Sequence, residues 1–148
     1  MLALATLGLA VAPLRAATTE LVVTERHSGL AISGFDPVAY FAEQAARPGH
    51  AELELRHAGV TWRFRNEGNR AAFAAHPEIF APRFGGYDPV AIARGASAPG
   101  HPEVWLVIED KLYLFHSDAA RADFAVDHDR IIDAAERRWP AILRILSP

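Results

Sequence analysis

Gly34-Phe35-Asp36-Pro37-Val38-Ala39 returns fifty-two positions later as Gly86-Tyr87-Asp88-Pro89-Val90-Ala91. In each copy a glycine and an aromatic residue precede Asp-Pro-Val-Ala. Asp-Pro is a helix-start signal: the carboxylate accepts free backbone amides, and proline at the first helical position forfeits no hydrogen bond. A second block is in step with the first. Trp62, Phe64, Asn66, Arg70 and Phe73 match Tyr113, Phe115, Ser117, Arg121 and Phe124 at a constant offset of fifty-one. Two matches in register imply a duplicated unit, each copy a capped helix, a hairpin ending aromatic-x-Phe, and a second capped helix.

The hydrophobic pattern fills in the elements. Asp36-Pro37 opens a helix whose apolar face, Val38, Phe41, Ala42 and Ala45, runs to about residue 46. Leu53, Leu55 and His57 alternate up to an Ala58-Gly59 turn, and Val60, Trp62 and Phe64 return, predicting a β-hairpin with one buried face. Asn66 caps the next helix, Pro77 starts a short turn, and Pro82 to Gly86 reads as a loop. Asp88-Pro89 starts a helix to about Arg94, and Gly95 to Pro102 reads as a connection. Val104, Leu106 and Ile108 alternate as a strand, but Trp105 and Val107 make its other face apolar too. Glu109-Asp110 turns the chain into Leu112-Tyr113-Leu114-Phe115, and Ser117 caps a further helix. The last helix carries Ile131, Ile132, Ala135, Trp139, Ile142, Leu143 and Leu146 at spacings of three and four, and Pro140 is expected to break or kink it. The expected fold class is α+β: two pseudo-symmetric hairpin–helix units in one compact domain, about 30–82 and 83–128, closed by a C-terminal helix over about 129–146.

Composition narrows the chemistry. The chain has no cysteine, which excludes disulfides, thiolate metal sites, iron–sulfur clusters and a cysteine nucleophile. Its net charge is -3, with one lysine, Lys111, and scattered arginines, so no basic stripe marks it for nucleic acid. Residues 1–17 are almost wholly apolar or small and end in Leu14-Arg15-Ala16-Ala17, which reads as an export signal too short to span a membrane. The expectation is a periplasmic or extracellular protein, residues 18–148, with no stable membrane span once the signal is removed.

Several of these stretches resemble the YHS domain family in its bacterial exported form. They are Ile32-Ser33-Gly34-Phe35-Asp36-Pro37-Val38-Ala39-Tyr40-Phe41, Trp62-Arg63-Phe64 with Asn69-Arg70 and Phe73, Pro77-Glu78, Phe84-Gly85-Gly86-Tyr87, Lys111-Leu112-Tyr113-Leu114 with Ser117, and Trp139-Pro140. The resemblance spans about residues 30 to 142. It implies a metal-linked or redox-linked module, often without a defined activity. Many relatives carry cysteine or selenocysteine directly after Gly-Gly-Tyr, where this chain has Asp88. A carboxylate there accepts amides but performs no thiol–disulfide exchange.

Asp88, His116 and Asp36 are the candidate metal ligands, since imidazole and carboxylate alone can hold copper, zinc or iron. Tyr87, Asp88, Asp36 and Tyr113 are the candidate small-ligand residues. Tyr87, Tyr113, Trp62 and Trp105 are aromatic enough to line a pocket between the units, although aromatic residues on strands ordinarily form core. Both aspartates also fit the plainer role of helix caps. The Asp127-His128-Asp129 triplet reads as a helix start, and His57 and His76 as partly buried structural residues. No catalytic motif is present: Ser117 lacks a Gly-x-Ser-x-Gly setting. The sequence thus favours a non-enzymatic metal- or ligand-binding or redox-accessory module. Its alternatives are a structural or interaction protein that kept the fold after losing the reactive cysteine, and an Asp88/His116 hydrolase.

Overall fold

The computed structural model describes residues 22–147, so the expected export signal lies outside the described residues. The described chain is an α+β fold of six α-helices and two separate two-stranded antiparallel sheets. In chain order these are α1 (Ala39–Ala42), β1 (His50–His57), β2 (Val60–Phe64), α2 (Glu67–Ala75), α3 (Pro77–Phe80), α4 (Pro89–Ala93), β3 (His101–Ile108), β4 (Lys111–Phe115), α5 (Asp118–Val126) and α6 (His128–Leu146). Short 3-10 turns at Ile32–Gly34 and Arg83–Gly86 precede the two Asp-Pro sequences.

Both hairpins close as the alternation predicts. Leu55 faces Trp62 across the first, Leu106 faces Tyr113 across the second, and each has an irregularity near the start of its first strand. Their turn residues all take left-handed conformations: φ is 52° at Ala58 and 79° at Gly59, and 49° at Glu109 and 58° at Asp110. Positive φ at both central residues is the hairpin geometry that matches strand twist, and it normally selects Asn-Gly or Gly-Gly. The second turn holds two side-chain-bearing residues there, which costs energy that glycine avoids.

The second hairpin lies between two hydrophobic clusters. Leu112 and Leu114 pack with Ile32, Val38, Tyr40, Trp62, Phe64 and Phe73 in the first, with Trp105 and Val107 at its edge. Tyr113 and Phe115, one residue out of phase and therefore on the opposite face, join Phe84, Tyr87, Val90, Ile92, Phe124, Ala135 and Ile142 in the second. This is why β3 reads as apolar on both faces. The first hairpin has only one such face, and Arg63 and Glu54 form an ion pair elsewhere on it (2.9 Å). Matching aromatic groups anchor the helices: Phe73 of α2 stacks on Trp62 and Phe64, and Phe124 of α5 on Tyr113 and Phe115.

Three expectations need correction. α1 ends at Ala42, not near residue 46, because the chain turns through a left-handed Gln44 (φ 52°). β3 starts at His101, inside the stretch read as connection, because His101 pairs with Phe115. α6 continues through Pro140 to Leu146. Proline there removes one amide from the helix ladder, but the apolar stripe on both sides of it holds the helix against α4 and the second cluster. Trp139 meets Phe84 at 5.6 Å and Tyr87 at 6.0 Å between ring centroids, and Ala135 and Ile142 are buried. Packing of an amphipathic face outweighs a local break of this kind.

Two predictions follow from the turns and the buried phenols. Replacing Glu109-Asp110 with Asn-Gly should stabilise the fold by roughly 1 kcal/mol, read as a higher urea midpoint at unchanged slope. An unchanged or lower midpoint would show that these residues are not strained. Burial raises the phenol of Tyr40 above its ordinary value, with Asp36 and Glu103 adding to it. Burial also raises Tyr113, partly opposed by Arg83. Because the folded values lie above the unfolded ones, the protonated phenols stabilise the fold fully below about pH 10, and this contribution is lost as pH rises further. In an ultraviolet titration, ionisation of these two tyrosines should coincide with loss of near-ultraviolet dichroism. Ionisation of all three tyrosines near pH 10 in the folded protein would contradict it.

Candidate functional site: two buried aspartates and one exposed histidine

Each Asp-Pro sequence sits in a small hydrogen-bonded frame. Gly49 donates its amide to the Gly34 carbonyl (2.8 Å) and Asp36 donates to the Arg47 carbonyl (2.8 Å), with Phe35 bridged to Pro48. In the later frame Gly100 donates to Gly86 (2.9 Å) and Asp88 to Ala98 (2.9 Å), with Tyr87 bridged to Pro99. Glycine is required at both closures: an added Cβ would lie 2.4 Å from the Arg63 carbonyl carbon at position 49 and 2.5 Å from the Gly86 oxygen at position 100. Sequence reasoning missed these residues. Their signal was present as Pro48-Gly49-His50 and Pro99-Gly100-His101, at the same offset of fifty-one as the hairpins.

Both aspartates are 0% exposed, the only polar or charged residues buried to that degree among those described. Asp36 accepts the Val38 and Ala39 amides on Oδ1 (2.8 and 3.3 Å). Its Oδ2 accepts the Arg65 amide (2.8 Å) and the Asn69 side-chain amide (2.7 Å). A carboxylate has about four acceptor sites, and protein donors fill all of them. Asp36 therefore binds the amides around the start of α1, whose N-cap is Val38, and ties the end of β2 and the first turn of α2 to the 36–39 segment. Among the candidate metal ligands it has no acceptor site to offer.

Asp88 starts in the same way and ends differently. Its Oδ1 accepts the Val90 amide (2.8 Å), capping α4, and its Oδ2 accepts the His116 amide (3.1 Å) just beyond β4. The position corresponding to Asn69 is Ala120, which has no donor side chain. The side-chain partner at Asp88 is instead the ring of His116, with Nδ1 hydrogen-bonded to Asp88 Oδ2. Because the carboxylate already accepts, Nδ1 is the proton-bearing nitrogen, and the lone pair of the neutral ring lies on Nε2. The His116 side chain is 48% exposed. The result is a half-exposed imidazole oriented by a fully buried carboxylate. A carboxylate behind Nδ1 is what orients a metal-binding or proton-transferring histidine.

The other candidates fall elsewhere. Tyr87 and Tyr113 are buried in the second cluster and Trp62 in the first. Tyr40 donates to the Pro102 carbonyl (2.7 Å) and Trp105 packs edge-on against it, so this contact ties the α1 region to β3. His76 is exposed beside Glu78 rather than partly buried, while His57 is half-buried against Phe73. In the 127–129 triplet, Asp127 is held by Arg130 (2.6 Å) and α6 begins at His128, in line with a helix start. His101 Nδ1 accepts the Glu103 amide (3.2 Å), the reverse of His116. Among the described residues no group of three or more histidine, aspartate or glutamate side chains is placed to hold a metal ion, so Asp88, His116 and Asp36 do not form one three-ligand set. Ser117 Oγ accepts the Ala120 amide (3.2 Å) and serves as a cap.

The two aspartates should respond differently to truncation. Asp36→Ala strands buried amide donors and is expected to cost roughly 3 kcal/mol or more in urea unfolding. Asp88→Ala should cost less, roughly 2 kcal/mol, because the His116 ring can turn to water. Nitrogen-15 spectra of the wild type should show the His116 proton on Nδ1, and Asp88→Ala should release that preference. A Nε2-protonated His116 in the wild type would contradict the assignment.

No family model, curated protein or solved structure matches this chain.

Proposed function

We propose that the chain is an exported, non-enzymatic module of the YHS type, built by duplication of a capped hairpin–helix unit. In this reading it presents His116 to a transition metal ion such as copper, zinc or iron, or to a small ligand, as an accessory to a metal or redox system. The observation that carries it is the Asp88–His116 pair. Histidines 27 and 76 also have a carboxylate near Nδ1, but theirs are exposed glutamates. Among the described residues only His116 is backed by a carboxylate that is completely buried and anchored by two backbone amides. Such a ring keeps its orientation at no further cost in side-chain freedom when a ligand binds at Nε2.

Support for the duplication comes from the paired frames around Asp36 and Asp88, the paired irregular hairpins and the paired Phe73 and Phe124 anchors. Within this reading Asp88 takes the place of the family's thiol, and the histidine it orients supplies the metal donor in the thiol's stead. Export rests on the apolar leader, and no helix among the described residues is long and apolar enough to cross a membrane.

A second reading, a structural or interaction protein, is favoured by Asp36, whose acceptor sites are all taken by protein donors. The hydrolase alternative meets its distance requirement, since Asp88 and His116 are hydrogen-bonded, but the hydroxyl of Ser117, next to His116 in the chain, serves as a cap. Titration of the purified protein with copper(II) and zinc(II), followed by the His116 ring resonances, separates the readings. Metal binding should perturb His116 first, and His116→Ala should weaken it at least about tenfold in protein that circular dichroism shows to be folded. Absence of binding above background, or binding unaffected by His116→Ala, leaves the structural reading.

A further inference from the structure

We propose that the cleft where α4 meets α5 and α6 is a binding site for a short apolar peptide with free termini, about the size of a dipeptide. The cleft encloses about 480 Å³, within the range of small-molecule sites, roughly 300–1,000 Å³. Val90, Ala93, Ile131 and Ala134 line its apolar part, and the two alanines leave room that larger side chains would fill. Val126 stands at its edge 88% exposed, the most exposed large hydrophobic among the described residues. A ligand with apolar side chains would cover it and gain from doing so.

The charged groups set the class of ligand. Arg94 pairs with Asp123 across α4 and α5 (3.3 Å), and Arg130 pairs with Asp127 (2.6 Å). All four line the same cleft. The pairs are largely solvent-exposed, so each contributes little and is readily exchanged for another partner. Two guanidinium groups suit a carboxylate, which they can grip through paired N–H donors. Two carboxylates suit an ammonium group and repel a polyanion such as a nucleotide. A fatty acid would satisfy the arginines and leave its chain near the aspartates without a cation. A zwitterion with apolar side chains satisfies both charges and the apolar lining at once. A single amino acid would leave most of the volume empty, which argues for two residues.

This site does not include His116 and does not rest on the metal reading. It is tested with L-leucyl-L-phenylalanine, by calorimetry and by amide chemical shifts. The expected result is saturable binding that perturbs Ala93, Ile131 and Ala134. Acetylating the amine or amidating the carboxylate of the probe should each weaken binding about tenfold, as should Arg94→Ala or Arg130→Ala. Ala134→Leu, and separately Ala93→Leu, should fill the cleft and abolish binding while circular dichroism stays native. The proposal fails if the dipeptide does not bind saturably, if its capped forms or octanoate bind equally well, if neither arginine variant weakens binding, or if a folded leucine variant still binds.

Discussion

Two carboxylates, each removed completely from solvent, hold the local architecture in place. Burying a carboxylate is costly unless donors replace its water, and here backbone amides from separate segments supply them. Asp36 joins the start of α1 to the end of β2, and Asp88 joins the start of α4 to the residue after β4. Each aspartate therefore fixes where a hairpin ends relative to where a helix begins. The glycines at 49 and 100 complete the arrangement by allowing two backbones to approach more closely than any side chain permits.

Around that frame the two halves have different surroundings. The second hairpin is covered on both faces, by the first unit on one and by α4, α5 and α6 on the other. The first hairpin is covered on one. Tyr40 reaching Pro102 and Val23 reaching the Gly85 carbonyl (2.8 Å) carry the hydrogen bonding from one half into the other. The long α6, with Trp139 against Phe84 and Tyr87, has no counterpart among the described residues that precede it. The two carboxylates also differ in a side-chain donor: Asn69 donates to Asp36, while the His116 ring is hydrogen-bonded to Asp88. A saturated carboxylate on one side and a carboxylate–imidazole pair on the other are the consequence.

Much of this was legible in the residues. Strict alternation, Asn66 and Ser117 as caps, and the Asp-Pro starts are local signals, and they specify hairpins and helix starts because backbone hydrogen bonding and side-chain period act over a few residues. Even the double-sided burial of the second hairpin was visible in Trp105 and Val107. The misses came where distant packing overrode local preference. Pro140 is a helix breaker by its own chemistry, and only the stripe it shares with Ala135 and Ile142 keeps α6 continuous. The early end of α1 follows from the chain having to bring Arg47 and Gly49 back to Asp36 and Gly34.

The sequence by itself determined that Asp88 would cap a helix and that Asp36 would bind the amides just ahead of one, since both depend on an acceptor within two or three residues of free amides. It singled out His116, from its place at the end of a hairpin, as a candidate metal ligand and as the partner of Asp88 in the hydrolase alternative. That this ring donates to Asp88 twenty-eight residues away, while Asp36 has no acceptor site left for a ligand, was decided by tertiary structure alone. The reason is geometric: which donor completes a buried carboxylate's shell depends on what the fold places against it, and residue type and spacing do not encode that placement.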